Sequence, residues 1–184
     1  RMAGQFAKPR TSKTETRNNI TLPSYFGDMF NSKTFDINAR QIRASRLIAA
    51  YDASCEIVKY IDAHLQNSNI LTKNTLFFCH EAYNLFYESS LTRKANNAYY
   101  NLSTHMPWLG MRTVASASHV HFLSGIVNPI GIKIGPLIDI EWFIRLLNIL
   151  NPYNEPGKIV LMTRLGCKNV SKVLPYIIET IQKS

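Results

Sequence analysis

THMPWLGMRTVASASHVHFLSGIVNPIGIKIGP, residues Thr104 to Pro136, holds two short apolar runs, Thr104–Leu109 and Ile130–Ile134. Each stands beside a cation and a glycine. Gly110, Met111 and Arg112 follow the first run, and Lys133 lies in the second, just ahead of Gly135 and Pro136. A cation at the carboxyl end of a buried parallel strand is where an α/β enzyme holds an anionic substrate. The rest of the chain is therefore expected to repeat the pattern, strand and then cationic tip.

Downstream the pattern does repeat. Asp139 is a candidate N-cap for a helix over Ile140–Leu150. Asn151–Gly157 is dense in Asn, Pro and Gly and reads as a turn. Ile159–Thr163 is a strand candidate ending in Arg164-Leu165-Gly166, and Val173, Leu174, Ile177, Ile178 and Ile181 form one face of a last helix, with Pro175 expected in its first turn. Between the two opening runs, Val120–Ile126 reads as a short helix.

Upstream, Asn101–Leu109 is a strand candidate as a whole. Thr75–Cys79 is a β-prone run, followed by a helix expected from His80-Glu81 to about Leu91. Leu47, Tyr51, Cys55, Val58, Ile61 and Leu65 recur at spacings of three and four, which predicts a helix within Ile42–Leu65 with one core-facing stripe. Residues 1–10, RMAGQFAKPR, read as a strand tip ending in Lys8-Pro9-Arg10. Residues 11–40, with Asn18-Asn19, Pro23 and Gly27, read as one long loop whose Tyr25, Phe26, Met29, Phe30 and Phe35 pack onto something.

The composition, 46% hydrophobic, excludes a disordered or fibrous chain. No apolar run approaches the ~20 residues of a membrane span. Net charge is +9, from 21 Lys and Arg against 12 Asp and Glu. The cations are spread along the chain, which favours phosphorylated metabolites over a nucleic acid as the anionic partner. Cys55, Cys79 and Cys167 lack redox or metal spacing and read as free thiols of a cytoplasmic protein. His80-Glu81 fails as the start of a zincin helix because position 84 is Asn. The chain opens on Arg1 inside what reads as a motif, so a fragment or processed form is expected.

Strands alternating with helices mean an α/β fold with a parallel sheet. About five βα units can be counted, against the eight of a closed (β/α)₈ barrel. Periodicity leaves a barrel and a five-stranded doubly wound sheet equally open.

RMAGQFAKPRTS, FFCHEAYNLFYESSLTR, STHMPWLGMRT, HVHFLSGIVNPIGIKIGP, LNPYNEPGKIVLMTRLG and LPYIIETIQ, in that order, resemble the class II 3-deoxy-D-arabino-heptulosonate 7-phosphate (DAHP) synthases. The resemblance covers nearly the whole chain. It implies a (β/α)₈ TIM barrel of which residues 1–184 form a single partial catalytic domain, with flanking strands missing. It also implies an enzyme of the shikimate pathway that condenses phosphoenolpyruvate with erythrose 4-phosphate and releases phosphate. A cytoplasmic homo-oligomer with no membrane or nucleic-acid partner is the expected setting.

By the same resemblance, phosphoenolpyruvate is held by Arg1, Met111, Arg112, Lys133 and Arg164. Lys133 and Arg112 are the catalytic candidates, and Lys133 is the one suited to donate a proton or orient water. Lys8, Pro9, Arg10 and Thr11 resemble the loop that holds erythrose 4-phosphate. The family uses a divalent metal, Mn²⁺ or Co²⁺, whose Cys, His, Glu and Asp ligands lie in segments absent from this chain, so no metal ligand is assigned.

Three departures stand out. The family's Gly-Glu-Arg-Thr-Arg reads Gly110-Met111-Arg112-Thr113-Val114, which removes one carboxylate and one cation. Ser116-Ala117-Ser118 replaces the Asp-Gly ahead of His119. The interval from Arg10 to His80 is short, with room for one substantial helix where regulated members carry an extra pair that helps bind aromatic amino acids. A short form without that inhibitor site is expected. The alternatives are a catalytically impaired relative serving as a subunit or regulatory partner, or an enzyme taking an amino-sugar phosphate analogue.

Overall fold

The computed structural model describes residues 7–67 and 76–183, and these divide into two compact units, residues 1–80 and 81–184. Arg1 and Thr75 lie outside the described residues.

In the first unit the expected long loop contains a two-stranded antiparallel hairpin, β1 (Thr14–Arg17) and β2 (Ile20–Pro23). Asn18 and Asn19, at φ of 48° and 62°, form its turn. Paired left-handed residues match the twist of a two-residue hairpin, and asparagine tolerates that region better than most residues. Beyond β2, Tyr25 and Met29 are buried, as their apolar character predicts.

Arg40 is the centre of this unit. It is 1% exposed. Its guanidinium donates to the carbonyls of Pro23, Lys33 and Thr34 at 2.8–3.1 Å and pairs with Glu15 on β1. Helix α1 spans Ser45–Asn67. Its stripe is only half-buried, and Tyr51 is 45% exposed, so within the described residues this face is less covered than the sequence pattern implies.

The second unit is built on a four-stranded sheet in the order β3 (Cys79–Glu81), β6 (Met106–Leu109), β7 (Ile130–Ile134), β8 (Ile159–Thr163). β7 is parallel to both β6 and β8. The alternation expected from the sequence is therefore present, with all four strand candidates of the described residues contributing to this sheet, while the expected strand tip at Arg1 lies outside them.

The segment after Phe78 differs from expectation. His80 and Glu81 belong to β3, and the helix that follows, α2, is confined to Leu85–Ser90 with Asn84 as its N-cap. The strand candidate Asn101–Leu109 divides in two. β5 (Ala98–Asn101) pairs antiparallel with β4 (Thr92–Ala95) around Asn96-Asn97, again at positive φ, and only Met106–Leu109 enters the main sheet. Glu88 anchors this hairpin. Its buried carboxylate accepts from Asn101 Nδ2 at 2.9 Å and from Ser103 Oγ at 2.5 Å.

Helices α3 (Ala117–Ser124), α4 (Ile140–Leu150) and α5 (Val170–Lys183) share one hydrophobic core with one face of the sheet. Leu109, Ile130, Ile132 and Ile134 pack there with Leu123, Phe143, Leu146, Leu150 and Ile177. Asp139 caps α4 by accepting from Trp142 N at 3.1 Å. Pro175 is the sixth residue of α5, not in its first turn, because turns at Gly166–Asn169 start the helix early.

Strand alternation sends Trp108, Gly131, Lys133, Val160 and Met162 to the opposite face. Gly131 is obligatory there. A Cβ at 131 would lie 2.7 Å from Trp108 Cβ and 2.3 Å from Met162 Cε. Gly131→Ala is therefore expected to cost about 1–3 kcal/mol by overpacking, read as a lowered denaturation midpoint. An unchanged midpoint would remove this account of the glycine. Val160, mid-strand on this face, is 40% exposed, so the described residues leave the face partly open.

Candidate functional site

Because the strands run parallel, their carboxyl ends lie along one edge, and three of the expected cations are there. Lys133 pairs in register with Met162 one residue before the end of β7, and Arg164 follows β8, its backbone N–H donating to Ile134 O at 2.8 Å. Arg112 lies in the turn after β6, where Thr113 N and Val114 N both donate to Gly110 O. Arg112 and Arg164 are exposed, and Lys133 is half-buried. Lys133 Nζ sits 3.1 Å from the centroid of the Trp108 ring. The aromatic face holds the ammonium without consuming its hydrogen-bonding capacity.

Met111 is 58% exposed beside these cations, and its Cε and Sδ approach the position a Cβ on Gly135 would take. Val114 is different. Its side chain packs against the hydrophobic core beneath α3 and α4. The change from arginine to valine at this position therefore puts an apolar group on the helix side of the sheet in this chain.

One residue of this edge was not among the sequence candidates. Glu81 ends β3, and its carboxylate lies directly over Gly110, where a Cβ would come within 2.1 Å of Glu81 Oε1. Thr113 Oγ1 donates to the same oxygen at 3.3 Å and accepts from Gly110 N at 2.8 Å. Burial holds the carboxyl above the usual carboxylate range, outweighing Lys133, the Thr113 hydrogen bond and Arg112, which all favour its charged form. The loop after Glu81 is fixed by Ala82 N donating to Trp108 O and by His119. His119 Nε2 donates to Tyr83 O at 3.0 Å, while Nδ1 meets Ser116 Oγ at 2.7 Å. A carbonyl only accepts, so the proton is on Nε2.

The sequence signal for Glu81 was available. It stands at the end of a β-prone run, the same position that identified the cations.

In the first unit, Lys8 and Arg10 converge on Tyr25. Both cationic groups lie 5.9 Å from the ring centroid. Lys8 N donates to Phe26 O, and Arg10 Nε donates to Tyr25 O at 2.8 Å. The Tyr25 hydroxyl in turn donates to Asp28 at 2.6 Å. Pro9 between them is half-buried and Thr11 is exposed. Arg1 belongs to the residues outside the description.

Among the described residues no group of three or more His, Cys, Asp or Glu side chains is placed to hold a metal ion. Cys55, Cys79 and Cys167 are free thiols. No described helix is long and apolar enough to cross a membrane.

The chain is similar to a probable phospho-2-dehydro-3-deoxyheptonate aldolase of Pseudomonas fluorescens, with 35% identity over 187 aligned residues that cover all of this chain and 47% of the relative. Phospho-2-dehydro-3-deoxyheptonate aldolases of Neurospora crassa and Streptomyces coelicolor are 33% and 31% identical, again over the whole chain and over 51% and 52% of their own lengths. The chain thus spans about half the length of the curated relatives it matches.

The alignments to the Neurospora and Streptomyces proteins run to 248 and 232 positions for 184 residues, so dozens of their residues have no counterpart here. The Pseudomonas alignment needs almost no such gaps. The family model for class-II DAHP synthetases matches in two pieces, residues 1–70 and 59–184, which meet where α1 ends. Together these pieces take in every residue of the chain, which therefore belongs to the class-II DAHP synthetase family.

Proposed function

We propose that the whole protein condenses phosphoenolpyruvate with erythrose 4-phosphate in the cytoplasm, releasing phosphate, at the first step of the shikimate pathway. The observation that carries this reading is the row of Arg112, Lys133 and Arg164 along neighbouring carboxyl ends of parallel strands, each inside a segment resembling the family. Phosphoenolpyruvate presents a phosphate and a carboxylate, and several convergent cations suit both. Arginine can bind two oxygens of one oxyanion at once, while lysine acts as a point charge that can move a proton. Arg1 is a fourth cation for the same ligand. Lys8, Pro9, Arg10 and Thr11 would hold the sugar phosphate, with Tyr25 keeping both cations in place.

The sheet is proposed to be part of a (β/α)₈ barrel, and the whole chain part of its single catalytic domain. The support is the distribution of helices. In a doubly wound sheet helices cover both faces. Here α3, α4 and α5 pack on one face, and the other carries Trp108, Lys133 and Met162. In a barrel that second face is the filled interior and its carboxyl-end rim is the site.

Mn²⁺ or Co²⁺, implied by the resemblance, finds no donor set among the described residues. Met111 favours a second reading, a catalytically impaired relative, because a thioether cannot replace the family's glutamate as a charge or hydrogen-bond acceptor. A condensation assay of the whole protein with manganese and both substrates separates the two. Turnover supports the synthase, and phosphoenolpyruvate binding without turnover supports the impaired relative.

The break in the family match around residues 59–70, with the nearly gap-free Pseudomonas alignment, supports a form without the aromatic amino acid site. Added tryptophan and phenylalanine are expected to leave the rate unchanged. Synergistic inhibition would sink that expectation.

A further inference from the structure

Glu81 has no place in the function proposed above, yet it is built into the same rim. Its carboxylate is lodged over Gly110, in the space a Cβ there would take, and is hydrogen-bonded by Thr113. The cations whose charge acts on it are Lys133 on β7, one strand beyond β6, and Arg112 in the turn after β6, the same turn that places Gly110 and Thr113 against its carboxylate. Those two cations are the ones expected to face the substrate. A carboxylate and a phosphorylated substrate would then compete for the same positive charge at close range.

We propose that Glu81 is a substrate-linked proton acceptor: when phosphoenolpyruvate engages Arg112 and Lys133, Glu81 takes up a proton from solvent and is held as a neutral acid beside the bound ligand. This rests on the reading that phosphoenolpyruvate binds at that rim.

The argument is one of charge balance. In the free protein the half-buried carboxylate is offset by two nearby cations, and even so burial favours the proton. A ligand bearing phosphate and carboxylate oxygens redirects both cations and adds negative charge of its own. Like charges sharing a confined site cannot all stay ionised, and the group already closest to neutrality gives way first. The bond that forms is O–H on Glu81, and solvent supplies the proton. Thr113 can serve either state, since its hydroxyl donates to a carboxylate or accepts from a carboxyl. Glu81 acts on the ligand through the two cations, so it is a positioning residue. Met111 makes this assignment more consequential. With the family's glutamate absent from position 111, Glu81 is the carboxylate that the described residues place against Arg112 and Lys133.

The test is calorimetric titration of the whole protein with phosphoenolpyruvate alone, in two buffers of different ionisation enthalpy, for wild type and Glu81→Gln. Glutamine has the shape of the neutral acid but cannot titrate. Wild type is expected to take up more protons per ligand than E81Q, by roughly half a proton near neutral pH. Its affinity should gain about tenfold more than that of E81Q between pH 8 and pH 6, where the ligand's own phosphate contributes equally to both proteins. If E81Q does not fold, the wild-type proton count still decides, since uptake must exceed that of the ligand phosphate alone. Tight binding with identical proton counts in both proteins overturns this role and leaves the proposed function standing. A folded protein that does not bind phosphoenolpyruvate overturns both.

Discussion

Replacing Lys133 by methionine is expected to lower kcat/KM for condensation by about a hundredfold to a thousandfold, the usual loss when one charge aimed at a developing anion is removed. Methionine keeps the apolar stem on Trp108, so fold and sheet register should survive. The loss should divide between weaker phosphoenolpyruvate binding and slower turnover, because in the proposed site Lys133 would both face the ligand and be the side chain suited to handle a proton. Arg112→Ala and Arg164→Ala should weaken binding with a smaller effect on kcat. A K133M protein with wild-type kcat and KM would remove lysine from the mechanism.

The second large effect is structural. Arg40→Met is expected to destabilise the first unit by about 3 kcal/mol, because the carbonyls of Pro23, Lys33 and Thr34 lose their donor and Glu15 loses its partner. The hairpin β1–β2 and the segment carrying Tyr25 depend on those bonds, and Tyr25 holds Lys8 and Arg10. Limited proteolysis should cut R40M between residues 10 and 45 under conditions that leave wild type intact, and KM for erythrose 4-phosphate should rise. An R40M protein within about 0.5 kcal/mol of wild type in denaturant unfolding would show that the buried guanidinium is dispensable.

The elements legible in the sequence were those whose pattern is local and complete. Ile130–Ile134 and Ile159–Thr163 are strands with the expected bounds because each is a continuous apolar run closed by a turn signal. Asp139 caps Ile140–Leu150 for the same reason, a polar cap standing before an amphipathic stretch. The two hairpins were missed although both carry an Asn-Asn turn. Their strands, TETR with ITLP and TRKA with AYYN, are four residues each and mostly exposed, too short for a hydrophobic alternation to mark them. The helix expected from His80 begins only at Leu85, because Asn84 is a better N-cap than any residue before it and the backbone of Ala82 is bound to β6.

For the proposed site, the same rule pointed to Arg112, Lys133 and Arg164, which lie at the strand ends it named, and overlooked Glu81. A carboxylate at a strand end was not read as part of a cationic rim, and only the close approach to Gly110 reveals that it belongs there. The sequence also suggested that valine at 114 costs the rim a cation. Val114 itself packs against the helix-side core, after a turn that closes on Gly110 O.

The most direct test of the central claim, that the strand-end cations form one anion site, uses the tryptophan under Lys133. Trp108 and Trp142 are the two tryptophans of the chain. In a Trp142→Phe background of the whole protein, the part of the emission that Trp108→Phe removes reports on Trp108, whose ring carries the Lys133 ammonium. Titration with phosphoenolpyruvate is expected to give a saturable change in emission that Lys133→Met abolishes and that Arg112→Ala and Arg164→Ala shift to higher ligand concentration. A folded W142F protein that binds phosphoenolpyruvate with no change at Trp108, or with unaltered affinity in all three variants, would contradict it.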